Sequence, residues 1–158
     1  MPDDLYDRDV LPWSEQQADL LRRLAAGELV NEAVDWPHVI EEVEDVGRSE
    51  LSACESFLVQ AITPLMKVRL QPGGPVAHWA DEVDQFLDEA ASRITPAVRR
   101  RVDLDSVYKR ALRRMRRHLV SDATPLPRAC PYTLDELLAE EPDIYALVAK
   151  LDTEPHAG

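Results

Sequence analysis

The chain has 158 residues, a formal net charge of −12, and 45% hydrophobic and 30% charged side chains. That length bounds one domain burying roughly 70% of its unfolded surface, and that composition excludes a disordered chain. No apolar run reaches the ~20 residues of a membrane span, since the best segment, Phe57 to Met66, is interrupted by Gln60 and Pro64.

Apolar residues recur at helical spacing along the chain, with no strand-like alternation, so the expected fold class is all-α. A first helix is expected over about Trp13 to Ala26, with Leu20, Leu21 and Leu24 on its apolar stripe and Gly27 at its end. Asp35 is placed to cap a second helix whose first turn tolerates Pro37. The series Ile40, Val43, Gly47, Leu51, Cys54, Leu58, Ala61 and Leu65 then predicts one long helix from Trp36 toward Leu70, bent near Pro64. Gly47 inside that helix predicts close packing of an aromatic such as Trp13 or Trp79.

Gln71-Pro72-Gly73-Gly74-Pro75 is a break, and a third helix is expected over about Val76 to Ile94. Thr95-Pro96 reads as a cap and first helical residue, opening a short turn toward Val102. Asp105 begins a basic helix with Tyr108, Ala111, Leu112, Met115 and Leu119 on its apolar side. Asp122 to Pro131 reads as loop, Thr133 with Glu136 as a capping box for a helix through Ala139, and Pro142-Asp143 as the start of a last helix to Leu151. The expectation is a single-domain helical bundle over residues 1–158, built around the long bent helix, with shorter C-terminal helices and frayed ends at about 1–4 and 152–158.

Two cysteines, Cys54 and Cys130, stand outside any Cys-x-x-Cys pair, which argues against a disulfide framework or a cysteine zinc site. The N-terminus, Met1-Pro2-Asp3-Asp4, carries acid where a secretory signal carries base, so the expected compartment is the cytoplasm. Charge is segregated. Nine of the 18 Lys and Arg lie between Arg99 and Arg117 against only Asp103 and Asp105, so that stretch is net +7 and the remainder net −19.

Several stretches together carry a family likeness: Tyr6, Asp9, Trp13, Gln16 and Leu20-Leu21-Arg22; Asp35-Trp36, Glu41-Glu42, Glu44 and Gly47-Arg48-Ser49-Glu50; Lys67, Gln71-Pro72 and Trp79; and Cys130-Pro131-Tyr132-Thr133-Leu134 with Leu137-Leu138. In these the chain resembles the bacterial domain-of-unknown-function family number twenty-nine, over about Leu5 to Leu138. The resemblance implies an all-helical bacterial protein and supplies no activity. The chain departs from the family pattern at Thr63-Pro64-Leu65-Met66-Lys67-Val68, where members have a histidine and a tryptophan, and at His78, where serine usually precedes Trp79.

Two constellations offer chemistry. Lys109, Arg113, Arg116 and Arg117 share a helix face, with Arg110 and Arg114 beside them. Such a face suits an anionic macromolecular partner. Protein is favoured over nucleic acid, because the acidic body repels phosphate and no helix-turn-helix spacing or aromatic interleaving accompanies the arginines. Internal pairing of this helix with the acidic segment Glu41 to Glu55 is the competing account, and self-association is a further expectation.

The alternative reading is a divalent-metal enzyme acting on phosphorylated small molecules. Glu41, Glu44 and Asp45 are its ligands, with His38 close by and Asp81, Asp84 and Asp88 as a possible complement. Catalysis is otherwise not indicated: Ser49, Ser52 and Ser56 have no histidine nearby, no nucleophile elbow occurs, and no cofactor is implied. His78, beside Trp79, is the histidine the sequence singles out, and the tryptophans with Tyr6, Tyr108 and Tyr132 read as packing anchors.

Overall fold

The computed structural model describes residues 3–117 and 126–152. Among them are eight α-helices, one 3-10 turn and no strand. The expected ends at 1–4 and 152–158, together with His118, Leu119 and part of the Asp122 to Pro131 loop, fall wholly or partly outside the described residues. The chain forms two compact units, Met1–Ser49 and Glu50–Gly158, and the long helix contributes to both.

In the first unit, helix α1 (Asp3–Arg8) precedes α2 (Val10–Ala25). The α2 helix starts three residues before the expected Trp13, because the Asp9 side chain accepts a hydrogen bond from Leu11 N at 3.2 Å and caps it there. It ends in a Schellman motif: Glu28 N donates to Arg23 O and Gly27 N to Leu24 O, both at 3.0 Å. The motif requires a left-handed residue, and Gly27 supplies it with φ of 91°. A 3-10 turn over Asn31–Ala33 then leads into α3 (Trp36–Leu70), whose 35 residues match the expected limits.

In the second unit α3 is followed by α4 (Val76–Ser92), α5 (Pro96–Arg101), α6 (Leu104–Arg116), α7 (Leu134–Leu137) and α8 (Ile144–Ala149). Local chemistry starts each of the last four. Thr95 accepts from Val98 N, Asp103 from Ser106 N and Asp143 from Ala146 N, while Thr133 and Glu136 form the expected capping box.

The core of this unit is the buried stripe of α3 from Cys54 to Met66, packed with Val83, Leu87 and Ala90 of α4 and Tyr108, Ala111 and Met115 of α6. Two buried phenols tie the later chain to it: Tyr108 Oη donates to Pro127 O at 2.7 Å and Tyr132 Oη to Leu147 O at 2.8 Å. Burial pushes the Tyr108 hydroxyl up to about 12, so it remains a donor at neutral pH. Cys54 is fully buried and its Sγ lies 3.7 Å from Ala90 O.

One sequence expectation fails in the first unit. The apolar series runs the length of the helix, and its first members Ile40 and Val43 are 54% and 69% exposed. Here α3 meets α1 and α2 through the opposite face, where Tyr6 and Trp13 contact His38 and Tyr6 contacts Glu42. The aromatic packing expected at Gly47 is not found: among the described residues nothing lies within 4 Å of a Cβ built there. Trp13 is held instead by Asp35, and Trp79 lies over Gly74, where an added Cβ would collide with ring atoms Cη2 and Cζ3. Gly74→Ala is therefore expected to destabilise the protein by about 1–3 kcal/mol, the usual cost of overpacking. Chemical unfolding followed by circular dichroism measures it, and an unchanged midpoint would show that the Trp79 ring moves aside at no cost.

Candidate functional site

Helix α6 has one apolar and one cationic face because its apolar residues keep a helical period. Val107, Tyr108, Ala111, Leu112 and Met115 are buried, which turns Lys109, Arg113, Arg114, Arg116 and Arg117 to the exterior. Arg110, between the two faces, is half-buried and spoken for: Nη1 lies 3.9 Å from Glu55 Oε2 and Nη2 is 3.5 Å from Ser56 Oγ. Glu55 also accepts from Asp103 N at 3.1 Å. The internal pairing expected between the acidic and basic helices thus comes down to Glu55 among the described residues. Lys109, Arg113, Arg114, Arg116 and Arg117 make no ion pair with a described residue.

These cations line two adjoining depressions. One, of about 690 Å³, is bounded by Lys109, Arg113, Arg116 and Arg128 together with Asp103, Asp105, Ser106 and Leu112. The other, of about 330 Å³, is bounded by Val59, Arg110, Arg113, Arg114 and Arg117. Arg113 belongs to both. Lys109, Arg113 and Arg116 follow one another at about 6 and 4.5 Å along the axis, a ladder suited to successive carboxylates or phosphates. Like charges at these spacings cost about 0.2–0.5 kcal/mol per pair. The helix dipole returns about 0.3–1 kcal/mol for each cation in the last turn, where Arg113, Arg114 and Arg116 lie. The terms are of similar size, so the fold tolerates the cluster without requiring it.

The acidic start of α3 is arranged differently from the metal reading. Arg48 Nε donates to Asp45 Oδ1 at 2.7 Å and Arg48 Nη1 lies 3.7 Å from Glu44 Oε2, while Glu41 is exposed. Glu42 accepts from Tyr6 Oη at 2.7 Å. Among the described residues no three His, Cys, Asp or Glu side chains come together to hold a metal ion. His78 is two-thirds exposed, 3.6 Å from Glu82.

The organised histidine is His38. Its Nδ1 is 2.7 Å from Asp35 Oδ2, and the same oxygen accepts from Trp13 Nε1 at 3.0 Å. Tyr6 stacks on the imidazole at 4.0 Å between centroids and meets Trp13 edge-on at 4.8 Å. Gln17 Oε1 accepts from Asp35 N at 2.8 Å, which holds the Asp35 backbone in place. Sequence shows Asp35 and His38 one helical turn apart, but nothing in it reports that Tyr6 and Trp13 close over them.

The hydrogen bond to Asp35 raises the His38 pKa above 6.5, against the opposing effect of burial, with further help from the charges of Asp35, Glu41 and Asp7. Burial alone would raise Asp35, but the bonds from His38 and Trp13 outweigh it and its pKa falls below 3.8. A raised histidine stabilises fully below its unfolded value and loses that contribution as pH rises through its folded value. Stability is therefore expected to decline as pH rises past 6.5, through the raised His38 value. Asp35→Asn should lower the titration point of His38 and flatten that slope, as read by NMR of the ring protons and by melting from about pH 6 to 9.

A protein-family model described as Domain of unknown function DUF29 matches residues 5–142. No curated protein matches the chain. Among solved structures, the chain is similar to a crystal structure of an alpha-helical protein of unknown function from Rhodospirillum rubrum. The two share 30% identity and a TM-score of 0.68, covering 94% of this chain and 98% of that one. With the matched model spanning most of its length and an all-helical neighbour of the same size, the chain belongs to the DUF29 family of proteins of unknown function.

Proposed function

We propose that this is a cytoplasmic binding or regulatory module whose α6 face engages an acidic segment of a partner protein. The observation that supports the reading is that Lys109, Arg113, Arg114, Arg116 and Arg117 stand exposed and without a carboxylate partner among the described residues. They do so in a chain of net charge −12, where anions to pair with them are abundant. A carboxylate-rich partner fits the ladder of cations along α6, and arginine binds carboxylates through two parallel hydrogen bonds. Protein is favoured over nucleic acid because the only aromatic residue of α6, Tyr108, is fully buried and offers no ring for base stacking. The bacterial cytoplasm suits two free cysteines, and no described helix is long and apolar enough to cross a membrane.

Replacing Arg113, Arg116 and Arg117 with glutamine is expected to remove capture of the partner from native lysate while leaving the melting temperature within a few degrees. Capture by the intact chain should survive nuclease treatment and weaken with added salt. Undiminished capture by the folded triple variant would sink the reading, and loss of capture on nuclease treatment would move the partner from protein to nucleic acid.

A further inference from the structure

The depression of about 690 Å³ is assembled from two stretches of chain, only one of which is α6. Arg128 is held at its border because the residues before it are pinned: Leu126 is buried, and Tyr108 Oη donates to Pro127 O at 2.7 Å. From α6 come Lys109, Arg113 and Arg116, which span about 10 Å along the axis. Four cations therefore border one cavity, and none of them pairs with a carboxylate of a described residue. Its volume falls within the roughly 300–1,000 Å³ usual for small-molecule sites.

The two ends of the depression differ in chemistry. At the cationic end each guanidinium presents a fork of donors, and a phosphoryl group answers with three acceptor oxygens and about two negative charges. Two such groups match the four cations in charge. At the other end Asp105 and Ser106 are exposed, and their side chains make no hydrogen bond to a described residue. The neighbouring Asp103 is already engaged, since its Oδ1 accepts from Ser106 N. A free carboxylate repels phosphate but accepts readily from hydroxyl groups, and a serine hydroxyl can donate or accept. Among the described residues no aromatic side chain borders the depression, so nothing there offers to stack on a nucleobase. We propose that this depression binds a sugar or polyol carrying two phosphoryl groups. The phosphates lie on Lys109, Arg113, Arg116 and Arg128, and the hydroxyls on Asp105 and Ser106. The ligand shares three cations with the face assigned to an acidic partner and adds Arg128, Asp105 and Ser106, which that reading does not use.

Calorimetric titration with fructose 1,6-bisphosphate tests the proposal, with inorganic pyrophosphate as a probe that has the phosphates and no sugar. The intact chain should bind the sugar bisphosphate with a Kd below about 1 mM. Arg128→Gln should weaken both probes about tenfold, through loss of a charge-assisted hydrogen bond. Asp105→Ala relieves the same repulsion for either probe but removes a hydroxyl acceptor, so it should shift the preference about tenfold toward pyrophosphate. Both side chains are exposed, so the variants should keep the helicity of the intact chain. No saturable binding of the sugar bisphosphate by about 5 mM overturns the proposal, as does binding that Arg128→Gln leaves unchanged. An unaltered preference in Asp105→Ala overturns the assignment of a sugar or polyol. Arg128 and Asp105 take no part in partner capture, so this site and the partner face fail independently.

Discussion

The second unit depends on one stripe of one helix. Leu58, Ile62, Leu65 and Met66 have no solvent exposure, and α4, α6, α7 and α8 each bring buried residues to the cluster they anchor. Each such side chain contributes about 1.5–3 kcal/mol by leaving water. Pro64 lies in the middle of the stripe, where an interior proline costs about 3 kcal/mol or more and leaves the Gln60 carbonyl without its helical donor. The flanking side chains together outweigh that cost, which explains why the helix continues past Pro64 to Leu70. Thr63 adds to the local distortion by donating from Oγ1 to Val59 O at 2.8 Å.

The first unit is held by other means. Among its described residues the buried apolar side chains are Trp13 and Val34, too few for a core like that of the second unit. Directional contacts take over: one Asp35 oxygen serves both Trp13 and His38, and Gln17 braces the Asp35 backbone. An apolar core is insensitive to protonation, whereas this arrangement requires an ionised carboxylate and is strongest with a charged imidazole. The two halves of α3 therefore rest on different physics, hydrophobic burial after Leu51 and charge-assisted hydrogen bonds before it.

What was legible in the sequence was what neighbouring residues decide. Thr95-Pro96, Asp143 and the Thr133–Glu136 box fix helix starts from atoms three residues apart, and the glycines and prolines after Leu70 stop α3 wherever the rest of the chain lies. The all-helical class and the family followed from the same local patterns. Questions that depend on distant residues were not legible. Periodicity marks Ile40 and Val43 as an apolar face but cannot say whether another element covers it, and in the first unit none does. Arg110 and Arg114 are a single turn apart and chemically identical, yet only Arg110 meets a carboxylate, because Glu55 comes to it from 55 positions earlier in the chain. The short helix α1 gave no periodic signal, and without it the ring of Tyr6 over His38 could not be anticipated.

The buried Cys54 gives the molecule a built-in reporter. Its sulfur faces the Ala90 carbonyl with no solvent exposure, and burial, aided by the neighbouring Glu55 charge, pushes its pKa up. Alkylating agents and oxidants react with thiolate, so this sulfur is shielded twice, by lack of access and by retention of its proton. It becomes reactive only when α3 and α4 separate. The rate at which a maleimide consumes it therefore counts excursions of those helices out of the native packing, with no foreign label placed in the core.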